Sequence, residues 1–345
     1  MSPGPDMILI DAVYINAGGG KVLLADLITA LRGGSGIVLL IDSRLTGVDT
    51  TGFTTIKIAP GEFGRASFYR KHSQKLERVL CFGNVPPPVR LDADVAVYFH
   101  NMLLCAPIVE IGLRRRWLAT LKMAYIWVMS RNADRFLVQS QAVKSALAVR
   151  LPPAAKIIEL PFYPSHSPSA GDDPDLPERW NRYAYVSHAY VHKNHGVLLD
   201  AWELLACRGI YPELHLTISG DHPQLYAKIE KVRARGGLVI NHGFTEASRV
   251  YRACGYQIYP SLAESFGLGL VEAAEAGCAI LASDRPFVRQ VVNPLATFDP
   301  NSASAIEEAV LHSCGKRASA SEVVVSNQLP RLIEWIRNGS WAGPA

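Results

Sequence analysis

Two glutamates that bracket a glycine-rich loop are the residues of this sequence best suited to chemistry. Glu264 and Glu272 lie in the stretch YPSLAESFGLGLVEAAEAGCAILASD, residues 259–284. A short apolar run precedes the loop, and the residues after Gly269 have a helical composition that Gly277 interrupts before a second apolar run. The pattern predicts a strand, a loop, a helix and a further strand. Both carboxylates can then face one pocket.

The predicted loop and helix start are suited to binding a phosphate group. A helix N-terminus, predicted here near Leu270, attracts anions through free N–H groups and its dipole, and glycines let a ligand approach the backbone closely. Carboxylates accept hydrogen bonds from hydroxyl groups. We therefore predict a sugar-nucleotide site in which Glu264 holds the transferred sugar and Glu272 holds the nucleotide ribose. The donor is also expected to meet the loop residues Ser265, Phe266, Gly267 and Leu268. An ordinary strand-to-helix connection with two solvated glutamates is the alternative.

The stretch PSLAESFGLGLVEAAEAGCAILASD resembles the Glu-x7-Glu signature of retaining glycosyltransferases of the GT-B fold. This large family, of the group 1 type, includes many bacterial lipopolysaccharide, capsule and mannosyl transferases. The resemblance implies an α/β architecture of two Rossmann-like, doubly wound domains facing each other across a cleft. It also implies a metal-independent hexosyltransferase without a cofactor, whose donor substrate is a nucleotide-diphosphate sugar. The resemblance is most specific over residues 183–300 and only general before them.

Length and composition fit a soluble chain of two domains. The chain has 345 residues, of which 49% are hydrophobic and 19% are charged, and its formal net charge is +4. So mild a charge is far from that of a dedicated nucleic-acid binder, and we expect no nucleic-acid partner. A segment rich in Pro, Ser, Gly and Asp, residues 160–180, predicts the boundary between an N-terminal acceptor domain at 1–165 and a donor domain at 166–325. The fold implies that a last helix, within 326–345, crosses back to the first domain.

Other features of the sequence indicate a cytoplasmic protein. Its six cysteines are scattered without paired spacing, which favours buried, reduced thiols over a disulfide framework or a zinc site. The first residues carry no basic segment and too short an apolar run for a signal peptide. No apolar run approaches the roughly 20 residues that cross a bilayer. Any membrane contact is therefore expected to be peripheral.

A second glycine-rich loop, NAGGGK at residues 16–21, follows the first predicted strand. Doubly wound sheets place ligands at such strand ends. Neither a P-loop nor a dinucleotide-binding fingerprint fits, because positions that those motifs require carry other residues. The resemblance implies that the loop lies beside the donor diphosphate and the acceptor, and a plain tight turn is the alternative. The residues concerned are Gly18, Gly19 and Gly20.

Two residues match further positions of the family pattern, and a third departs from it. His100 ends the apolar run VAVYFH, and the resemblance implies contact with the transferred sugar, although such a histidine is more often a surface or internally satisfied residue. Lys193 matches the family lysine that binds the donor diphosphate, where a positive charge offsets that of the leaving group. Many relatives carry an arginine where this chain has His188. Either His188 replaces it in part, or the chain belongs to a subgroup that manages without it.

The remaining predictions for the second domain concern the base and metals. Gly243 follows a predicted strand, and in the family pattern a glycine there lets the nucleotide base approach. His192 and His195 flank Lys193, but no acidic or cysteine ligand is spaced with them, so we expect no metal site. In the first domain, Ser140 is expected to cap the helix that follows it rather than to act in catalysis.

A basic and aromatic helix is predicted over residues 112–131. Its first half resembles an interfacial helix, and related enzymes with lipid-linked acceptors often use such a helix on the inner face of the cytoplasmic membrane. The residues concerned are Arg114, Arg115, Arg116 and Trp117. The second half is apolar all round, as in a buried core helix. Lipid contact by the arginines and core packing by the remainder are both expected.

These observations predict a retaining glycosyltransferase that moves a sugar from a nucleotide-diphosphate sugar to a glycan or lipid-linked acceptor in bacterial surface polysaccharide synthesis. His100, Lys193 and Glu264 are the expected catalytic residues. Two other classes remain open. One is a non-catalytic sugar-nucleotide-binding partner of another transferase, and the other is a different GT-B enzyme, such as an epimerase or a phosphorylase.

Overall fold

The chain divides into two compact units. A computed structural model describes residues 7–165 and 177–341. Unit 1 comprises Met1–Pro164 and Ser326–Ala345, and unit 2 comprises Ser165–Val325. Much of the segment predicted as the domain boundary lies outside the described residues.

Unit 1 is built on a seven-stranded parallel sheet with the order β3-β2-β1-β4-β5-β6-β7. Its central strands are continuous apolar runs, as expected where helices cover both faces of a sheet. The two edge strands, β3 and β7, escape the sequence pattern because one is largely exposed and the other has three residues. The strands are β1 Met7–Ala12, β2 Ile37–Asp42, β3 Thr54–Ile58, β4 Leu76–Cys81, β5 Asp94–Phe99, β6 Arg135–Val138 and β7 Ile157–Glu159.

Helices join the strands of unit 1. They are α1 Gly18–Ala30, α2 Glu62–His72, α3 Met102–Cys105, α4 Leu113–Met129 and α5 Gln141–Ala148. Both α2 and α4 contribute to one core cluster, through Tyr69 of α2 and through Met123 and Ile126 of α4. The two helices therefore cover the same face of the sheet.

The loop predicted at residues 16–21 is shorter than expected, because α1 already begins at Gly18. Gly18 makes the entry turn with a φ of 65°, and Gly19 and Gly20 lie in the first helical turn. Glycine is a poor helix former, so composition alone predicts a loop here. Burial of the leucines that follow stabilises the helix, as tertiary packing does for most helices.

The helix predicted over 112–131 is α4, and its second half packs in the core along one side only, through Met123 and Ile126. Its buried side chains are Ala119, Met123 and Ile126, which share one face. Trp127 and Val128 are exposed. An apolar composition permits burial on every side, whereas this helix meets its sheet along one face only.

Two smaller predictions can be compared directly. Ser140 caps α5 as expected, since its Oγ accepts a hydrogen bond from the N–H of Val143. All six cysteines are free thiols. Four are buried as expected, whereas Cys207 is exposed and Cys314 is half-buried.

Unit 2 contains a six-stranded parallel sheet with the order β10-β9-β8-β11-β12-β14. Its strands are β8 Arg182–Tyr185, β9 Glu213–Leu216, β10 Leu238–Asn241, β11 Tyr256–Tyr259, β12 Ala279–Ser283 and β14 Ala296–Phe298. A short antiparallel pair, β13 Val292–Asn293 and β15 Glu322–Val323, is separate from it. The helices are α6 His195–Cys207, α7 Pro223–Ala234, α8 Ala247–Arg252, α9 Leu268–Glu275, α10 Pro286–Val291 and α11 Ala303–Ser313. Both units are thus doubly wound α/β domains.

The last helix, α12, spans Leu329–Asn338 and belongs to unit 1. Its Trp335 is completely buried, and the indole Nε1–H donates to Asp94 Oδ2 over 2.8 Å. A large buried aromatic ring with a satisfied N–H group anchors this helix to the sheet of unit 1.

Substitution of Gly255 tests the packing of unit 2. A Cβ atom at this position would lie 2.6 Å from Trp180 Cε3 and 2.8 Å from the Arg179 carbonyl oxygen. Because the backbone cannot yield easily, we expect Gly255→Ala to lower the free energy of unfolding by about 1–3 kcal/mol. Gly196 in α6 has no atom within 4 Å of a Cβ, so Gly196→Ala should be neutral or stabilising. Equal melting temperatures for the two variants would contradict this packing.

Candidate active site

The strand order of unit 2 reverses between β8 and β11. The chain moves from β8 to β9 and β10 on one side and then continues from β11 to β12 on the other. Loops that leave the carboxyl ends of two such strands diverge, and the crevice between them is where open α/β sheets bind ligands. His188 and Lys193 follow β8, and Glu264 follows β11. The topology therefore brings these predicted residues to the ligand-binding edge of the sheet.

Lys193 and Glu264 form an ion pair at this reversal. Lys193 Nζ lies 2.5 Å from Glu264 Oε1, and the two side chains are 17% and 11% exposed. The hydroxyls of Tyr259 and Ser261 donate to the same oxygen over 3.0 Å and 2.6 Å. Within the described residues, Oε2 of Glu264 accepts no hydrogen bond. One carboxylate oxygen is thus held by the protein, and the other can accept hydrogen bonds from a ligand.

Glu264 is ionised in this setting. Burial by itself raises the pKa of a carboxyl group, but the charge of Lys193 and hydrogen bonds from Lys193 and Ser261 oppose it. The pKa of Glu264 consequently lies below its ordinary value of 4.5. The carboxylate therefore keeps its negative charge and acts only as a hydrogen-bond acceptor at neutral pH.

Backbone and side-chain hydrogen bonds join the two loops behind this pair. Tyr185 donates its hydroxyl to the carbonyl of Lys193 over 2.7 Å, and the N–H of Leu262 donates to the carbonyl of His192 over 2.8 Å. Asn194 adopts a left-handed conformation with a φ of 61°, which asparagine tolerates better than most residues. Its side-chain amide donates to the carbonyl of Pro260 over 3.2 Å. These contacts hold Lys193 in position against Glu264.

Sequence reasoning did not single out several of these partners. Tyr259 and Ser261 lie within the signature stretch, where polar groups at the end of a buried strand are the signal that could have identified them. For Asn194, the available signal is its position immediately before a helix. Tyr185 lies inside a buried strand, and its sequence context carries no functional signal.

His188 does not add a permanent positive charge. Its side chain is exposed, but desolvation followed by the charge of Lys193 lowers its pKa below the ordinary value. Burial also lowers the pKa of His192 to about 4 and that of His195 to about 3. All three imidazoles are therefore neutral near pH 7. Within the described residues, no group of three or more His, Cys, Asp or Glu side chains can hold a metal ion.

The glycine loop after β11 differs from the prediction in its details. Helix α9 begins at Leu268, two residues earlier than expected, so Glu272 lies half-buried in its second turn rather than its first. Gly267 precedes the helix in a left-handed conformation with a φ of 95°. Gly269 lies inside the helix, where a Cβ would come within 3.0 Å of the Tyr251 hydroxyl. Packing against Tyr251 accounts for this second glycine.

The other residues predicted around the loop lie close to the start of α9. Phe266 is buried, whereas Ser265 and Leu268 are half-buried. Gly243, after β10, has a φ of 65° and open space where a side chain would project. The backbone at Gly243 is therefore accessible, so a flat ring such as a nucleotide base has room to approach it.

The sheet of unit 1 also reverses its order, between β1 and β4. Gly20 and His100 meet near this reversal, since a Cβ on Gly20 would lie 3.0 Å from His100 Nε2. Asn84 Oδ1 accepts a hydrogen bond from the backbone N–H of His100 over 2.7 Å. Burial lowers the pKa of His100 to about 4, so its imidazole is neutral. Glycine at position 20 leaves room for this ring.

Comparisons with known proteins define the class. Residues 172–315 match the model of a family described as glycosyl transferases group 1. The matched segment contains the stretch that resembles this family, and it includes Lys193 and Glu264. No curated protein matches the chain at a significant level.

Solved structures show that the fold is GT-B. Sucrose-phosphate synthase from Thermosynechococcus elongatus is 16% identical, with a TM-score of 0.68 over 96% of this chain and 94% of that chain. HepE of Anabaena, in complex with UDP and glucose, is 14% identical, with a TM-score of 0.66 over 89% of each chain. WaaG, a glycosyltransferase involved in lipopolysaccharide biosynthesis, is 16% identical, with a TM-score of 0.63 over 89% of this chain and 90% of that chain. The chain thus has the GT-B fold, and its residues 172–315 match the group 1 glycosyl transferase model.

The pH dependence of stability tests the ion pair. Glu264→Gln removes the charge and keeps the shape, and we expect a loss of about 1.5–3 kcal/mol of unfolding free energy at pH 7. The pKa of Glu264 is depressed in the folded state, so its stabilisation is complete above the ordinary pKa and is lost as the pH falls through the folded value. Denaturant unfolding should show the gap between wild type and variant closing in acid.

The matched control is Glu230→Gln. Glu230 pairs with Arg233 on the exposed surface of α7, and such surface pairs contribute little. This variant should unfold like the wild type at every pH. A gap for Glu264→Gln that stays constant from neutral to acidic pH would show that the pair is not ionic.

Proposed function

We propose that this protein is a glycosyltransferase that moves a sugar from a nucleotide-diphosphate sugar, with retention of configuration, to a glycan or lipid-linked acceptor in bacterial surface polysaccharide synthesis. The observation that carries the proposal is the Lys193–Glu264 pair at the strand reversal of unit 2, within the segment that matches the family model. Among the structural neighbours, HepE has been crystallised with UDP and glucose, which supports a nucleotide-sugar donor.

The roles of the donor-site residues follow from their chemistry. Lys193 contacts both Glu264 and the diphosphate, and its charge offsets the negative charge that grows on the leaving group. Glu264 accepts hydrogen bonds from the transferred sugar through Oε2, and Glu272 accepts them from the ribose. Backbone N–H groups at the start of α9, next to Phe266, Gly267 and Leu268, bind phosphate oxygens. Gly243 leaves room for the base.

Transfer follows from this arrangement without a protein nucleophile. The bond between the sugar's anomeric carbon and the diphosphate oxygen breaks while the acceptor oxygen bonds to the same face of the sugar. The departing diphosphate oxygen takes the proton of the acceptor hydroxyl, which balances the charge. No step of this proposal requires a metal ion. His188 lies near enough to Lys193 to feel its charge, and a bound diphosphate would favour a protonated His188.

Residues of unit 1 receive the roles that the family resemblance implies. We propose that His100 contacts the transferred sugar as a neutral hydrogen-bonding group. The start of α1 is proposed to lie beside the diphosphate and the acceptor. The residues concerned are Gly18, Gly19 and Gly20.

We further propose that α4 contacts the inner face of the cytoplasmic membrane. Its side opposite the core carries the exposed residues Leu113, Trp117, Leu121 and Val128, at 81%, 63%, 47% and 43% exposure. Arg114, Arg115 and Arg116 stand at the start of the same helix. An exposed apolar stripe with adjoining arginines suits an anionic lipid surface. No helix in the described part of the chain is long and apolar enough to cross a membrane.

Nucleotide binding provides the first test. A ligand that binds only the folded state raises the melting temperature, and we expect one of UDP, GDP and ADP to do so without divalent metal. Glu272→Ala should abolish the shift. Lys193→Met should reduce it, whereas Lys231→Met, on the surface of α7, should not. If none of the three diphosphates raises the melting temperature with or without magnesium, the donor-site assignment is wrong.

Sedimentation with lipid vesicles tests the membrane proposal. The protein should pellet with vesicles containing phosphatidylglycerol and remain in solution with pure phosphatidylcholine. The double variant Trp117→Ser, Leu121→Ser should weaken this binding at least about tenfold, because burial of two such side chains contributes at least about 1.4 kcal/mol. Val149→Ser removes an even more exposed apolar side chain after α5 and should bind normally. Equal binding by both variants would contradict the assignment to α4.

A further inference from the structure

A buried network of charges lies beneath the strand reversal of unit 1. Arg65 is 1% exposed and Asp11 is 2% exposed. The Arg65 guanidinium donates from Nη2 and Nε to Asp11 Oδ2 over 2.8 Å and 3.0 Å, and from Nη1 to both oxygens of Glu62 over 2.9 Å. The hydroxyl of the fully buried Tyr69 also donates to Asp11 Oδ2 over 2.8 Å. Nothing in the proposed transfer mechanism uses this network.

Two half-buried tyrosines complete the network on its outer side. The Tyr14 hydroxyl donates to Glu62 Oε1, and the Tyr125 hydroxyl donates to Glu62 Oε2 over 2.8 Å. With Arg65, these bonds occupy all four lone pairs of the Glu62 carboxylate. Each phenol hydroxyl donates a hydrogen bond to Glu62, and each phenol oxygen keeps a free lone pair that can accept one. The two phenol oxygens can therefore bind a ligand only as hydrogen-bond acceptors.

The two phenols stay protonated. Burial, followed by the hydrogen bond to Glu62, raises the pKa of both Tyr14 and Tyr125 above the ordinary value of a phenol. Both hydroxyls therefore continue to donate hydrogen bonds to Glu62 over the physiological pH range. The free lone pairs of the two half-buried phenols therefore remain available as acceptors over the same pH range.

The network lies where a ligand is expected in unit 1. Asp11 belongs to β1, and Tyr14 follows this strand by two residues. Arg65 also donates to the carbonyl of Val85, in the loop after β4, over 3.1 Å. The Tyr14 ring lies over Gly83 of that loop, where a Cβ would be only 3.3 Å away. The network thus spans both loops at the reversal, which is the binding crevice of such a sheet.

Charge restricts what can bind there. The network contains two carboxylates and one guanidinium, so its net charge is one negative. The arginines at the start of α4 do not neutralise it, because Arg116 precedes Tyr125 by nine residues, or about 14 Å along the helix. A phosphate group would meet a net negative charge and no free donor among these side chains. A hydroxyl group would meet an acceptor and no opposing charge.

We propose that Tyr14 and Tyr125 accept hydrogen bonds from two hydroxyl groups of an uncharged sugar, which is the acceptor of the transfer. The assignment rests on the proposed function and adds the chemical class of the acceptor. Glu62 acts as a positioning residue, because it orients both phenols and has no free lone pair. Arg65 and Asp11 hold Glu62 in place from the buried side.

Binding of simple sugars to the full-length chain tests the proposal. The probes are the methyl glycosides of glucose, mannose, galactose and N-acetylglucosamine, together with glucose 6-phosphate and mannose 6-phosphate, followed by saturation-transfer NMR. At least one uncharged glycoside should bind, at least about tenfold more tightly than either phosphate. Tyr14→Phe and Tyr125→Phe should each weaken it by about fivefold, the effect of losing one hydrogen bond of about 1 kcal/mol. Absence of binding by all four glycosides, or equal binding of a phosphate, would overturn the proposal.

Tyr69→Phe is the matched control. This tyrosine donates to Asp11 in the same network, but it is fully buried and cannot touch a ligand. It should leave glycoside binding unchanged, and an equal loss in all three variants would mean that the network is only structural. Glu264→Gln should also leave glycoside binding unchanged, because otherwise the glycosides occupy the donor site. The nucleotide-induced rise in melting temperature should persist in both Tyr14→Phe and Tyr125→Phe. Its absence in the wild type would count against the proposed function, whereas loss of glycoside binding alone would count against this inference.

Discussion

The proposed donor site of this protein depends on one ion pair held at the edge of a parallel sheet. Lys193 and Glu264 come from loops 71 residues apart, and they meet because β8 and β11 are neighbours across the strand reversal. A half-buried lysine and a buried carboxylate stabilise each other only when the geometry is good, since both lose hydration. Tyr259 and Ser261 improve that geometry by donating to the same oxygen. The pair therefore keeps one carboxylate oxygen engaged and leaves the other for a ligand.

Two residues with left-handed backbone conformations help to bring Lys193 and Glu264 into contact. Asn194 and Gly267 both have positive φ values, and each stands immediately before a helix that begins at the binding edge. Such conformations favour residues without a bulky side chain, or with a short polar one. Fixed loop conformations reduce the reorganisation that ligand binding would otherwise require.

Unit 1 uses a related arrangement for a different purpose. Its reversal is supported by the fully buried pair Arg65–Asp11, whereas the Lys193–Glu264 pair of unit 2 is only partly buried. The guanidinium also binds carbonyl groups of the loop after β4, so one side chain ties together two strand ends and α2. Because Arg65 and Asp11 are buried, they hold the surrounding loops in place and do not contact a ligand. Tyr14 and Tyr125 are the groups of the network that a ligand can reach.

The sequence by itself determined the fold class and most strands and showed a family resemblance, because continuous apolar runs and the glutamate spacing are local patterns. It also identified Lys193 and Glu264 as separate residues. Only the tertiary structure decided that they touch, since contact between distant loops depends on strand order. Tertiary packing also placed Gly18 in a helix, exposed one face of α4, and assembled Tyr14, Glu62 and Arg65 into one network. These residues carry no recognisable sequence motif, so their role becomes visible only from the neighbours that the fold places beside them.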